Sequence, residues 1–291
     1  MSSTQHLAEL LARPDQSLIV PGAGTPLEAL AAQRAGCEAV YVSGYSIAAW
    51  RHGLPDIGLL GMGELLEALG AIRRVSALPL IVDADTGYGD ALSVYENVRL
   101  LEAAGANAIQ IEDQTWPKKC GHMAGKQVID ADEAVGKVDA ALAARRYPST
   151  LIVGRTDSLG PLGIDEAIRR GQRFHEVGAD VVFIDAPGSA EDLARIGESV
   201  AGILMANVSE GGRTPSLSAQ DFHGLGFQLV IYPSTPLRVA AHAIEEFVGD
   251  LHRDGDALAW RERMYGLDQL NDLVGLEDYL NVGDRLNGAA H

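Results

Sequence analysis

Only two cysteines, Cys37 and Cys120, stand among the 291 residues. Two thiols cannot build a disulfide framework, and neither has CxxC spacing, so a stapled scaffold and a structural zinc site are both excluded. Basic residues are also scarce. The chain has 23 Lys and Arg against 40 Asp and Glu, a formal net charge of -17, with the acids spread along its length. Nucleic acid and anionic membrane surfaces both require a basic face, so neither is an expected partner. No apolar run approaches the roughly 20 residues of a membrane span. The N-terminal MSSTQHLAELLARPDQ carries Glu9 and Asp15 and lacks the apolar centre of a signal peptide. The segment VPGAGTPLEAL has Gly22 and Gly24 but not the third glycine of a dinucleotide fingerprint, and GxSxG, Walker and HExxH motifs are missing. The expectation is a soluble protein of a reducing cytoplasm.

What is abundant is core material: 47% hydrophobic residues and 33 glycines. Eight short apolar runs bounded by turn signals read as strands. They begin at Ser17, Ala39, Leu78, Asn107, Thr150, Asp180, Gly202 and Phe227. The runs do not alternate apolar with polar, which predicts a parallel sheet covered on both faces. Helical periodicity falls between them at 26–35, 63–75, 91–104, 131–145, 164–177 and 236–248. Glycine recurs just before strands, in LLEAAGANAIQIED and FHEVGADVVFID, as a helix-ending cap. Eight strand–helix units predict an α/β fold, a (β/α)8 TIM barrel over about 17–248, with a doubly wound sheet as the alternative. No linker interrupts the chain, so one domain spans 1–291. The leucine-bearing stretch from about 256 to 291 reads as extra helix that packs on a neighbour.

Polar residues gather at the C-terminal ends of the strands, where barrel active sites are built. Asp83 and Asp85 in DADTGYGD, with Glu112 at the next strand end, suit a hard cation such as Mg²⁺, with Mn²⁺ as substitute. The same spacing also fits helix caps and solvated loop carboxylates. Cys120 lies in WPKKCGH, a loop containing Pro117 and Gly121. Lys118 and Lys119 would favour its thiolate, and His122 would add charge or a proton route. Arg155 in LIVGRTD is a natural clamp for a carboxylate or phosphate, or a partner for Asp157. Arg238 in YPSTPLR is a weaker case of the same kind, and Cys37 reads as plain packing. A divalent cation, an arginine and a proton-active thiol together suit a small, multiply carboxylated substrate.

Five motifs, in order, resemble the isocitrate lyase/phosphoenolpyruvate mutase superfamily: VSGYSIAAWRHGLPDIGLL, DADTGYG, IEDQ…KKCGH, GRTDS and ANVSEGGRTP. The resemblance covers roughly 17–248. KKCGH marks its carbon–carbon lyase branch and is absent from the phosphonate-forming mutases. PKKCGH and GRTDSLGPLGIDEAI look most like 2-methylisocitrate and 2,3-dimethylmalate lyases, while SGYS and LPDIGLL are also similar to oxaloacetate hydrolases and plant 2-alkylmalate lyases.

The resemblance implies a Mg²⁺-dependent lyase that splits a 2-hydroxy di- or tricarboxylate into a 2-oxo acid, pyruvate or glyoxylate, and a carboxylate. Asp85 would hold the metal, with Asp83 and Glu112 largely through water and Asp56 in support. Ser43, Gly44 and Tyr45 would grip the 2-oxo acid part; Gly121, Arg155, Asn207, Ser209 and Arg238 would contact the rest. Cys120 would protonate the departing carbanion, with Lys118 and His122 setting its charge and Tyr41 as base on the 2-hydroxyl. The family's barrels swap their last helix between subunits and usually form tetramers. The departures are Asp185 in FIDAP, where glutamate is usual among the substrate contacts, and Tyr45 in place of a glycine of the methylisocitrate branch. Both point to a smaller, C4–C6 substituted malate. The competing readings are an oxaloacetate hydrolase giving oxalate and acetate, phosphonate P–C chemistry, and a non-catalytic thiol-sensing barrel.

Overall fold

The computed structural model of the protein describes residues 3–121, 123 and 125–288. Its strands are β1 (Leu18–Ala23), β2 (Val40–Val42), β3 (Leu80–Asp83), β4 (Ala108–Glu112), β5 (Leu151–Thr156), β6 (Val181–Ile184), β7 (Ile203–Asn207) and β8 (Phe227–Tyr232). Each pairs in parallel with the next, and β8 closes on β1, with Leu18 opposite Leu229 and Pro21 opposite Tyr232. The sheet is a closed (β/α)8 barrel, and the doubly wound alternative is excluded. Each run read from the sequence is one of these strands.

The unbroken apolarity of the strands follows from burial on both sides. In β3 and β4 every residue is buried. Alternate side chains divide between two cores. Val40, Val42, Leu80, Val82, Ile109 and Ile152 face the helical layer. Val20, Tyr41, Ile81, Val153, Phe183 and Met205 fill the interior. Leu7, Leu10 and Leu11 belong to the inner core as well, because the helix Ser3–Leu11 presents them on one face at i, i+3, i+4 spacing. This helix was not read from the sequence.

The six expected helices are present as Pro26–Arg34, Met62–Val75, Ala91–Ala103, Ala131–Ala144, Ile164–Val177 and Thr235–Asp254. Thr25 starts the first with a capping box to Glu28, and Gly178 ends the fifth at φ 107°. The helix between β6 and β7, Ala190–Ser199, escaped the pattern because it buries only Leu193 and Ile196. Among the described residues no helix is long and apolar enough to cross a membrane. Beyond the barrel lie Leu267–Leu273 and Leu276–Gly288, as expected. The latter buries no side chain against its own chain, and Tyr279 is 73% exposed.

Candidate active site

The mouth of the barrel at the strand C-termini is built from buried charge. Asp83 ends β3, and its Oδ1 accepts hydrogen bonds from Gln110 Nε2 at 3.0 Å and from the Asp85 amide at 3.2 Å. Asp85 is past the strand, in a left-handed conformation (φ 48°) that a residue with a Cβ seldom adopts. Its Oδ1 lies 2.7 Å from Lys118 Nζ, which also binds Asp56 Oδ1 at 2.6 Å. Tyr88 donates to Asp85 Oδ2 at 3.4 Å. A cleft of about 20 Å³, enough for one water, is lined here by Gly44, Asp56, Asp85, Tyr88 and Lys118.

Arg155, near the end of β5, is surrounded by acids. Its Nε is 2.8 Å from Asp157 Oδ2 and 3.3 Å from Glu112 Oε2, and its Nη2 is 3.3 Å from Asp185 Oδ2. The guanidinium stacks on Phe183 at 5.1 Å. The pairing with Asp157 weighed from the sequence is therefore present, within the site. Burial alone would lower the Arg155 pKa, but Asp157, Glu112 and Asp185 together raise it well above its ordinary value. Lys118 behaves alike: desolvation opposes its charge, and Asp85, Asp56 and Asp83 outweigh that. Both cations stay charged.

The carboxylates do not balance so well. Burial pushes Asp83 up, with help from Asp85, and pushes Glu112 well up despite Arg155. Glu112 Oε1 is buried with no hydrogen-bond partner among the described residues. An orphaned acid oxygen and a surplus of buried carboxylates are what an added cation relieves, so the donor set fits a divalent metal. No three His, Cys, Asp or Glu side chains among the described residues form a ready-made cage. Mg²⁺ does not need one, because it usually keeps several waters and takes one or two carboxylates.

The loop after β4 rests directly on this charge. A Cβ on Gly121 would fall 1.8 Å from Asp185 Oδ2 and 2.6 Å from Arg155 Nη2, so only glycine allows the approach. Cys120, immediately before it, donates its amide to the Asp56 carbonyl at 3.2 Å. It lines a cleft of about 350 Å³ with Tyr45, Met123, Asn207, Ser209 and Arg238. Asp185 itself is fully buried; Asn207 Nδ2 donates to its Oδ1 at 3.3 Å. It thus orients Arg155 and Asn207 rather than facing the cleft.

The other residues singled out from the sequence occupy distinct places. Tyr41 is 1% exposed in the barrel interior and donates to Gln110 Oε1 at 3.0 Å. Burial, and then Asp83, raise its pKa above the ordinary phenol value, while Arg155 opposes the rise. Lys118 Nζ is paired with Asp56 and Asp85, and Lys119 Nζ donates to the Gly125 carbonyl at 3.0 Å. His122 lies outside the described residues. The Ser43 hydroxyl accepts from the Ser46 amide at 3.2 Å, capping the turn Gly44–Ser46 that carries Tyr45 to the cleft. Arg238 is half-exposed at the cleft mouth and pairs with Glu210 at 3.3 Å.

Some participants escaped the sequence. Lys126, 4% exposed at its side chain, lies 2.7 Å from Asp157 Oδ1. Asp113 accepts from the Asp157 amide at 2.8 Å, from Thr156 Oγ1 at 2.6 Å and from Arg170 Nη1 at 2.9 Å, fixing the end of β5 from behind. Gln110 joins Tyr41 to Asp83. Gln110 and Asp113 sit in a strand and strand end that the sequence did mark; Lys126 carries no comparable signal.

A family model described as phosphoenolpyruvate phosphomutase matches residues 7–252. The 2,3-dimethylmalate lyase of Eubacterium barkeri is 40% identical over 97% of both chains. A 2-methylisocitrate lyase of Aeropyrum pernix is 41% identical over 94% of this chain and 87% of its own. Among solved structures, oxaloacetate acetylhydrolase in complex with 3,3-difluorooxalacetate superposes with a TM-score of 0.92 at 29% identity, covering 99% of this chain and 97% of that one. Phosphonopyruvate hydrolase with oxalate and Mg²⁺ gives 0.88 at 30%, covering 98% and 99%.

Proposed function

Because the chain belongs to the phosphoenolpyruvate mutase/isocitrate lyase superfamily, as a carbon–carbon lyase, we propose that it cleaves a 2-hydroxy di- or tricarboxylate to a 2-oxo acid and a carboxylate. Substrates of the 2-alkylmalate, dimethylmalate and 2-methylisocitrate type fit. Supporting this reading is the position of Cys120. It shares the wall of one cleft with Tyr45, Asn207, Ser209 and Arg238, one residue from the Gly121 that rests on Arg155 and Asp185.

In this reading Asp85 would hold Mg²⁺, with Asp83 and Glu112 through water and Asp56 in support. The metal would stabilise negative charge on the 2-oxo acid half of the substrate. Ser43, Gly44 and Tyr45 bind that half. Arg155, with Asn207, Ser209 and Arg238, holds the carboxylate of the other. The C2–C3 bond breaks as the 2-hydroxyl passes its proton to a base, the role that the resemblance gives to Tyr41 as its phenolate. The bond's electron pair stays on the departing fragment, which takes a proton from Cys120 Sγ. Lys118, locked between Asp56 and Asp85, holds the start of the Cys120 loop against the metal ligands.

The exposed apolar side chains of the extension, among them Leu280 at 58% and Leu286 at 65%, support its docking on a second copy within a homotetramer. Deleting 256–291 should then reduce the oligomer in size-exclusion chromatography.

The deciding experiment measures 2-oxo acid release from 2-methylisocitrate, isocitrate, 2,3-dimethylmalate, other 2-alkylmalates and oxaloacetate. Each is run with Mg²⁺ and with EDTA, on wild type and Cys120→Ser. Metal-dependent pyruvate or glyoxylate from one substrate, lost in the mutant, is expected. The likeness to oxaloacetate acetylhydrolase favours one second reading, hydrolysis of oxaloacetate; oxalate from that substrate alone would establish it. Silence across the panel would sink both.

A further inference from the structure

Lys126 is a buried cation to which neither the proton transfer nor the metal shell gives a role. Its Nζ lies 2.7 Å from Asp157 Oδ1 and 3.5 Å from Asp185 Oδ2. Those are the same two oxygens that Arg155 Nη2 contacts, at 3.1 and 3.3 Å. Two cations therefore share two carboxylate oxygens, and a third acid, Glu112, lies 3.3 Å from Arg155 Nε. Three carboxylates around one arginine would present an anionic substrate with net negative charge. Lys126 removes part of that excess. It also holds Asp185 Oδ2 where the Gly121 backbone rests, next to Cys120. Its own anchorage is firm: the Thr115 amide donates to the Gln127 carbonyl at 2.9 Å, and the Ile129 amide to that of Asp113 at 2.9 Å.

We infer that Lys126 is a positioning residue that compensates Asp157 and Asp185, so that Arg155 keeps a positive field for the substrate carboxylate beside Cys120. A charge in this role differs from a merely structural one, because its loss changes the local potential and not only the packing. The catalytic part of the inference rests on the lyase reading. The electrostatic part does not, and the test separates them.

The test uses the full chain carrying Cys37→Ser, so that Cys120 is its single thiol, as Lys126, Lys126→Met and Lys126→Arg. Cys120 is alkylated with anionic iodoacetate and with neutral iodoacetamide. The ratio of the two rates cancels the thiolate fraction, which both reagents share, and leaves the local potential. Lys126→Met should lower the iodoacetate-to-iodoacetamide ratio about 5-fold or more, and high salt should shrink the difference. Lys126→Arg should stay within about twofold of the parent, since it restores the charge. With the substrate found for wild type, Lys126→Met should raise KM more than it lowers kcat, because the loss falls on carboxylate binding. An unchanged ratio in a Lys126→Met protein that melts with the parent overturns the inference. So does a Lys126→Arg ratio as low as that of Lys126→Met. If Lys126→Met does not accumulate folded, Lys126→Gln carries the same readings. Arg145→Met, which breaks a pair with Asp180 at the far end of the barrel, should leave the ratio alone. A shifted ratio in a protein that turns over none of the panel would sink the lyase reading and leave the electrostatic role standing.

Discussion

At the N-terminal end of the barrel interior, Leu7, Leu10 and Leu11 share one apolar cluster with Leu18, Val20, Ala39 and Leu229. At the C-terminal end, Asp83, Asp85, Glu112, Lys118, Lys126, Arg155, Asp157 and Asp185 are all less than a tenth exposed. One set of strands supports both ends. Burying a leucine stabilises by about 1.5–3 kcal/mol, whereas taking an ion out of water costs several kcal/mol before any partner returns it. The closed end therefore carries stability, and the open end holds groups that only a reaction or a ligand justifies. Phe183 belongs to the apolar cluster and stacks under Arg155, so the two regions meet at its ring.

Mutations should separate the two ends. The largest effect is expected at the open end, where Cys120→Ser should lower kcat about 10²–10⁴-fold, the range of a lost general acid. Its melting temperature should match wild type; a large fall in both would mean that Cys120 belongs to the scaffold. Arg155→Met leaves Asp157 and Asp185 short of a cation in a buried setting. A loss of about 3–5 kcal/mol is expected, read by denaturant unfolding, together with loss of activity. At the closed end Leu10→Ala should cost about 2–5 kcal/mol and leave kcat/KM unchanged at temperatures where the protein stays folded. If Leu10→Ala instead lowered kcat/KM in folded protein, the division between the ends would fail.

The smallest effect concerns the outermost link of the charged end. Arg170 joins Asp113, behind the site, to Glu166 on the barrel surface at 2.8 Å. Hydrogen bonds from Arg169 and then Arg170, outweighing partial burial, hold the Glu166 pKa down to about 2. An unfolded glutamate titrates near ~4.3. Because the folded value is the lower, this contribution is present above the unfolded value and is lost as pH falls toward about 2. Melting temperature should therefore decline less steeply in Glu166→Gln than in wild type across that acid window. Equal slopes would show that the pair adds nothing, as many surface pairs do.

Reading the sequence located the charged end but not its pairings. Two residues apart in DADTGYGD, Asp83 and Asp85 would share one side of a continuous strand. The structure ends β3 at Asp83 and turns Asp85 into a left-handed conformation, so strand parity does not extend to Asp85. Both carboxylates still face the same space, within 4 Å of a Cβ built on Gly44. Lys118 and Lys119 adjoin Cys120 in sequence, but their ion-pair partners could not be read there. In space Lys118 belongs to Asp56, 62 residues earlier, and Lys126 to Asp157, 31 residues later. Tyr41, two residues before Ser43 and so on the same side of the strand, is buried in the barrel interior and joined through Gln110 to Asp83.

The amino-acid sequence by itself determined the eight strands, their parallel order and the rim where polar groups collect. Double burial demands continuous apolar runs, and each run can become polar only where its strand emerges. The tertiary structure alone decided which charges share a partner, which side chains lose solvent and how closely Gly121 approaches Asp185. Those outcomes depend on distances between different strands and loops brought together by barrel closure, and on the solvent each group loses there. Spacing along the chain encodes neither.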